Sequence, residues 1–205
     1  MSRIQILSFA ILGIILSVYS IFTLDQKIAP LLLAADQSAI ETWTFITDIV
    51  SSKHIAILLI VTWIAAFTFA RLKPKNPLWP IMQKKAALIF ASVLAAGGIA
   101  LVIKFIVGRA RPYMGDIGFS PFTYAQDFAS WPSGHTTTAF AFAVAVGMAV
   151  PILRWPMVAL AGLIGYSRMV LGMHYFADVI IGATLGTLCA VLVYNWLRPK
   201  FGLKA

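Results

Sequence analysis

The chain has 205 residues, 60% of them hydrophobic and only 11% charged, with a net charge of +9. A water-soluble domain keeps about a quarter of its residues charged and interrupts its apolar runs far more often, so that class is excluded. A nucleic-acid binder is excluded as well, because the basic residues gather at the ends of apolar runs instead of forming one patch.

Six apolar runs follow one another at 4–24, 54–70, 86–107, 134–151, 156–171 and 176–197. A helix needs roughly 20 such residues to cross a bilayer, so the composition predicts an all-α polytopic membrane protein with six transmembrane helices. The first run is too long for a signal-peptide core and no small-residue cleavage site follows it closely, so it reads as a retained anchor. Between the first two runs, Ile40, Trp43, Ile46 and Val50 recur at helical spacing with Glu41, Thr44 and Asp48 between them. That segment reads either as an amphipathic helix at the outer interface or as a re-entrant loop packed on the bundle. No repeat or low-complexity tract divides the chain, and residues 1–205 read as a single domain. Cys189, the one cysteine, lies in the last run and reads as a small buried hydrophobe. Gly182 and Gly186, also in that run, predict close packing against a neighbouring helix.

Charge sets the orientation. With the N-terminus inside, Arg3, Arg71, Lys73, Lys75, Lys84, Lys85, Arg154, Arg198, Lys200 and Lys204 fall on the cytoplasmic side, ten of the sixteen Lys and Arg residues. Lys27, Lys53, Lys104, Arg109, Arg111 and Arg168 fall outside, together with all seven acids, Asp25, Asp36, Glu41, Asp48, Asp116, Asp127 and Asp178. The positive-inside bias therefore predicts both termini in the cytoplasm, with Trp79, Trp155 and Trp196 near the inner boundary and Trp43 and Trp131 near the outer one.

Some of the outer charges lie within the runs rather than in loops. Lys104 ends the third run, Arg168 ends the fifth, and His135 and the pair His174 and Asp178 open the fourth and sixth. Ionisable groups at membrane depth are costly and tend to face a bundle interior and serve a function. Because the spans alternate in direction, all of these come to one outer face. On a helix, His174 and Asp178 lie four apart on one side. The carboxylate can then accept the imidazole N–H and leave the other nitrogen as nucleophile or base. Pro132 and Ser133 give a helix start, whose free N–H groups attract anions, and Gly134 lets a ligand approach the backbone. His135 projects from that first turn, while Lys104, Arg111 and Arg168 supply the fixed positive charge a phosphate requires.

Three segments carry a resemblance. "KFIVGRARP" (Lys104–Pro112), "PSGH" (Pro132–His135) and "SRMVLGMHYFAD" (Ser167–Asp178) resemble the K-x6-R-P, P-S-G-H and S-R-x5-H-x3-D motifs of the type 2 phosphatidic acid phosphatase superfamily. The signature spans residues 104–178. The resemblance implies a membrane lipid phosphatase in which His174 attacks phosphorus to give a phosphohistidine, oriented by an Asp178 hydrogen bond. It implies His135 as the acid for the leaving oxygen. Lys104, Arg111, Ser133, Gly134 and Arg168 would hold the phosphoryl oxygens, with no metal or other cofactor required. Arg109 is not a fixed position of the signature and is expected to be solvated or to touch headgroups. Asp116 and Asp127 are expected to face solvent and His54 to be interfacial, with the lining of an entrance the lesser of the readings open for Tyr113 and Phe122.

A pocket at the bilayer boundary suits a lipid phosphate or diphosphate in the outer leaflet of a bacterial plasma membrane. Undecaprenyl diphosphate is the favoured substrate, with phosphatidylglycerophosphate, phosphatidic acid and a lipid A phosphate as others. Two different classes remain open. One is a phosphotransferase or soluble phosphate-ester phosphatase on the same fold, the other a non-catalytic lipid transporter. No obligate protein partner is expected.

Overall fold

The computed structural model describes residues 2–49, 52–115 and 117–203. Val50, Asp116 and Lys204 lie outside the described residues, as does the Lys53 side chain. Eight helices account for about three quarters of the described residues. They are α1 (Arg3–Thr23), α2 (Asp25–Leu33), α3 (Gln37–Ile49), α4 (Ser52–Leu72), α5 (Leu78–Val107), α6 (Gly134–Ala149), α7 (Arg154–Val170) and α8 (Phe176–Lys200). No strand forms among the described residues, apart from one isolated antiparallel bridge between Arg109 and Phe119.

Among the described residues, four helices are long and apolar enough to cross a membrane: α1, α5, α8 and the stretch His54–Leu72 of α4. The α6 helix has 16 residues and α7 has 17, so each falls short of the ~30 Å hydrocarbon core at 1.5 Å per residue. The α5 helix departs from expectation in the other direction. It begins at Leu78 rather than near residue 86, because helix-forming residues carry it straight through Lys84 and Lys85. At 30 residues it runs ~45 Å, which lets its basic first turns project beyond an apolar slab. The segment between the first two long helices forms two helices, α2 and α3, separated by a short turn.

The helices pack around α6, which touches α5, α7 and α8. The α1 helix lies along α8, α4 lies along α5, and α3 lies against α7. What each helix turns inward is diagnostic. On α1 the buried residues are Gly13, Ser17 and Ser20, while Ile4, Leu7, Ile11, Ile15 and Phe22 are exposed. Small and hydroxyl side chains inside with large apolar ones outside is the pattern expected when the surrounding solvent is lipid, which gives no hydrophobic drive for helix association. The α6–α8 contact shows how close the approach is. A methyl group at Gly186 would sit 2.2 Å from the Thr137 carbonyl oxygen, and one at Gly182 would sit 2.9 Å from that of Ser133. The expected role of these two glycines is therefore what the structure shows. Cys189 is buried in the apolar cluster formed by Ile55, Leu59, Val93, Ala96 and Ala141.

Candidate active site

The end of α5, the start of α6, the end of α7 and the start of α8 converge on one end of the bundle, with residues 108–115 and 117–133 beside them. Gly108 ends α5 in the left-handed conformation, φ 57°, and a Cβ there would collide with the Ser120 backbone, so this turn requires glycine. From it the chain folds back on itself: Ser120 N donates to Gly108 O at 2.7 Å, Ala110 N to Gly118 O at 2.8 Å, and Ser130 N to Arg109 O at 3.0 Å. The loop is pinned again where Arg111 N donates to Asp127 O and the Tyr113 hydroxyl donates to the Asp127 carboxylate at 2.5 Å. Asp127, Tyr113 and Phe122 are exposed, in agreement with a rim position.

The α6 start behaves as its sequence implies. Ser133 is the N-cap, its hydroxyl oxygen accepting from the Thr136 amide and hydroxyl. The first intrahelical bond is made by Thr137 N, so the amides of Gly134 and His135 precede the bonded ladder. The Lys104 side chain comes alongside, with its Cε 3.6 Å from where a Gly134 Cβ would be. Its ammonium donates to the Ala129 carbonyl.

His174 differs from expectation in a way that matters. It is not on a helix: α8 begins at Phe176, and His174 lies in the link after α7, where its amide and that of Met173 both donate to the Arg168 carbonyl at 3.1 Å. Its Nδ1 donates to the Ser130 carbonyl at 2.8 Å, whereas the nearest Asp178 oxygen is 3.7 Å away. That separation is an ion-pair contact, too long for a hydrogen bond, so a backbone carbonyl and not Asp178 fixes the ring. A carbonyl can only accept, which places the proton of the neutral imidazole on Nδ1 and leaves Nε2 with its lone pair. Burial in the packed interior, together with the Lys104 and Arg168 charges, pulls the His174 pKa down to about 3, against the opposing influence of Asp178. The ring is therefore neutral at physiological pH.

The cations are shared between the two histidines. Lys104 and Arg168 both act electrostatically on His135 and on His174, and Arg111 acts on His135 and Lys104. Arg168 is buried, Arg111 is half-buried with Nη1 3.1 Å from the Met173 sulfur, and neither Nε has a hydrogen-bond partner within the protein. The Nε of Arg109, and that of Arg198 at the far end of α8, are unpartnered in the same way, so this feature is not peculiar to the site. Every residue expected from the motifs thus lies at this end of the bundle.

Four further residues were not expected at the site. Arg109 is a correction: instead of being solvated it is fully buried, with Nη1 2.6 Å from Asp178 Oδ1 and Nη2 2.7 Å from Asp25 Oδ2. Burial alone would lower its pKa, but the Asp178 and Asp25 carboxylates outweigh that and raise it, so the guanidinium is firmly charged. Asp25, expected at the outer surface or the membrane boundary, is likewise fully buried. Asp48, on the exposed side of α3, is close enough to act on both His135 and Arg168 and so stands at the rim. Ser130 contributes its carbonyl to His174 and its hydroxyl to Asp178 Oδ2 at 2.5 Å. An acid directly after an apolar span, such as Asp25, is the one signal that pointed inward, since a charge at that depth calls for a partner.

Known proteins share sequence and fold with this chain. The chain is 38% identical over 115 residues to the lipid A 1-phosphatase of Rhizobium etli, covering 53% of this chain and 50% of that protein. It therefore spans about half the length of that relative. It is 27% identical over 148 residues to the undecaprenyl-diphosphatase BcrC of Bacillus subtilis, covering 71% of this chain and 74% of the other. The crystal structure of a transmembrane PAP2-type phosphatidylglycerolphosphate phosphatase from Bacillus subtilis superposes with a TM-score of 0.72 at 23% identity, over 95% of this chain and 96% of that one, which establishes a shared fold. The model of the PAP2 superfamily matches residues 85–201, more than half of the sequence and all of the motif-bearing helices, and the chain belongs to that superfamily.

Proposed function

We propose that the protein is a membrane lipid phosphatase that works through a phosphohistidine at His174. The observation carrying this reading is the state of that ring: neutral, buried, its Nδ1 proton committed to Ser130, and its Nε2 free beside two cations. Nε2 attacks the phosphorus atom, and the P–O bond to the lipid breaks as the N–P bond forms. The imidazole then carries positive charge, which the Asp178 carboxylate, 3.7 Å from Nδ1, stabilises. His135, which takes up a proton as the anionic substrate enters, gives it to the departing oxygen; the ring, neutral again, deprotonates a water that attacks phosphorus, breaking the N–P bond and releasing phosphate. Lys104, Arg111 and Arg168 hold the phosphoryl oxygens together with the amides of Gly134 and His135 at the α6 terminus, capped by Ser133. No step calls for a metal.

Apolar side chains exposed along α1 and α4 suit a substrate whose tails stay in the bilayer. Undecaprenyl diphosphate is the favoured substrate, because BcrC is matched over most of its length and the lipid A enzyme over half. The charge bias favours six spans with α6 and α7 among them, both termini in the cytoplasm and the site at the outer face of a bacterial plasma membrane.

The test is phosphate release from a panel of undecaprenyl diphosphate, phosphatidylglycerophosphate, phosphatidic acid, lipid A and sugar phosphates, with and without chelator. The wild type is expected to release phosphate from the lipids, undecaprenyl diphosphate fastest, unaffected by chelator and inhibited by vanadate. His174→Ala is expected to lower the rate on the order of 10⁴-fold or more, as loss of a covalent nucleophile does. Full activity in that variant, or strict dependence on a divalent ion, overturns the mechanism. Preference for sugar phosphates overturns the lipid assignment.

A further inference from the structure

Asp25 and Arg109 belong to none of the three motifs, and Asp25 lies outside the residues matched by the family model. Yet they complete a chain of buried charge that runs Asp25, Arg109, Asp178, with all three side chains fully inaccessible. The guanidinium forks between the two carboxylates, one Nη to each, and its plane lies over the Tyr175 ring with the central carbon 4.1 Å from the ring centroid. Each carboxylate also grips the first turn of α8: Asp25 Oδ1 accepts from Ala177 N at 3.0 Å, and Asp178 Oδ2 accepts from Tyr175 N at 2.8 Å. From α1, the Ser17 hydroxyl donates to the Ala177 carbonyl at 3.0 Å. The start of α8 is therefore clamped from the α1–α2 corner, and Arg109 sets where the Asp178 carboxylate stands relative to His174.

We infer that Asp25 and Arg109 are positioning residues for the phosphoryl-transfer step: together they fix the Asp178 carboxylate at its stand-off from the His174 ring. The inference rests on the reading of His174 as the nucleophile. The physical reasoning is one of charge and geometry. A single carboxylate facing Arg109 would be drawn wholly into that pair, and its field at His174 would be largely cancelled. With Asp25 taking the second Nη, the cluster of two carboxylates and one guanidinium keeps one net negative charge, on the side where the imidazole becomes cationic. The stand-off matters because the proton on Nδ1 belongs to Ser130, and Asp178 acts through space. Only the planar fork of an arginine reaches both acids at once; a lysine offers a single point of charge.

A merely structural ion pair predicts something different, and the experiment separates the two. Asp25→Asn alone leaves Arg109 with one counter-charge and is expected to lower the melting temperature and kcat together. Asp25→Asn combined with Arg109→Gln keeps the cluster's one net negative charge, on Asp178, while removing the fork that holds it, and its melting temperature is measured first to show that it folds. Positioning predicts that kcat stays at least about tenfold below wild type while KM moves by less than about twofold. Arg109→Lys is the second variant, readable if the double variant does not fold, and is expected to show the same split of kcat from KM. Wild-type kcat in either folded variant overturns the inference, as does a loss carried entirely by KM. His174→Ala run alongside separates this from the mechanism itself. If it is inert and the double variant is fully active, only the positioning role falls; if it is active, the nucleophile assignment falls and takes this role with it.

Discussion

The two ends of α5 carry lysines that do opposite things. At the start, Lys84 and Lys85 reach across to the finished ends of other helices: Lys85 donates to the Ala149 carbonyl at 2.8 Å, closing α6, and Lys84 donates to the Phe201 carbonyl at 2.9 Å, closing α8. These are ordinary satisfactions of carbonyls left over at helix C-termini, helped by the dipole. At the other end, Lys104 stands among Arg111, Arg168 and two histidines, a concentration of like charge that costs folding energy unless an anion completes it. The same residue type on one helix is a structural cap at one end and part of an incomplete site at the other. Cation count alone cannot tell them apart; the company of a buried imidazole oriented by a backbone carbonyl can.

Substitutions can break this contrast in order of expected size. His135→Asn at the site end should lower turnover of lipid phosphates by about 10²–10⁴-fold, the usual contribution of a positioned acid. The loss should shrink with p-nitrophenyl phosphate, whose leaving group needs no proton, and parallel kcat measurements on the two substrates check it. Arg168→Gln should cost about 10²–10³-fold in kcat, since its backbone carbonyl still holds the His174 amide while a charged donor to the phosphoryl group is gone. Midway along the bundle, Gly186→Ala forces α6 and α8 apart and should cost about 1–3 kcal/mol of stability, read from unfolding in detergent. At the far end, Lys85→Gln should cost only about 0.3–1 kcal/mol, with phosphate release unchanged.

The pH response sharpens the same comparison. With its folded pKa near 3, below the ordinary 6.5, His174 stays unprotonated in the native state while the unfolded chain takes up a proton below pH 6.5. Its contribution to stability is therefore complete above about pH 6.5 and is lost as pH falls toward 3. The His174 ring signal, assigned by its absence in His174→Ala, should not titrate between pH 5 and 8 in an NMR experiment. Titration near 6.5 would show a solvated ring.

Much of this was legible in the sequence because lipid leaves so few options: apolar runs of the right length became helices with ends within a few residues of expectation, save the α5 start. Some motif residues are placed by features local in sequence, such as the Ser133 cap and the close link from Arg168 to His174. What was not legible depended on partners far apart in the chain. Arg109 and Asp25 are separated by 84 positions, and no spacing rule joins them. His174 and Asp178 are four apart as a helical pair would be, but the chain has not yet entered α8, so the ring turns to Ser130, 44 residues away.

The corner where α1 gives way to α2 at Leu24 has a consequence for anyone wishing to shorten this protein. A version trimmed to the motif-bearing helices would keep every signature residue and lose the carboxylate that balances Arg109 in the dry interior. Such a fragment would look complete on paper while the cluster at the mouth of α8 had lost its net negative charge.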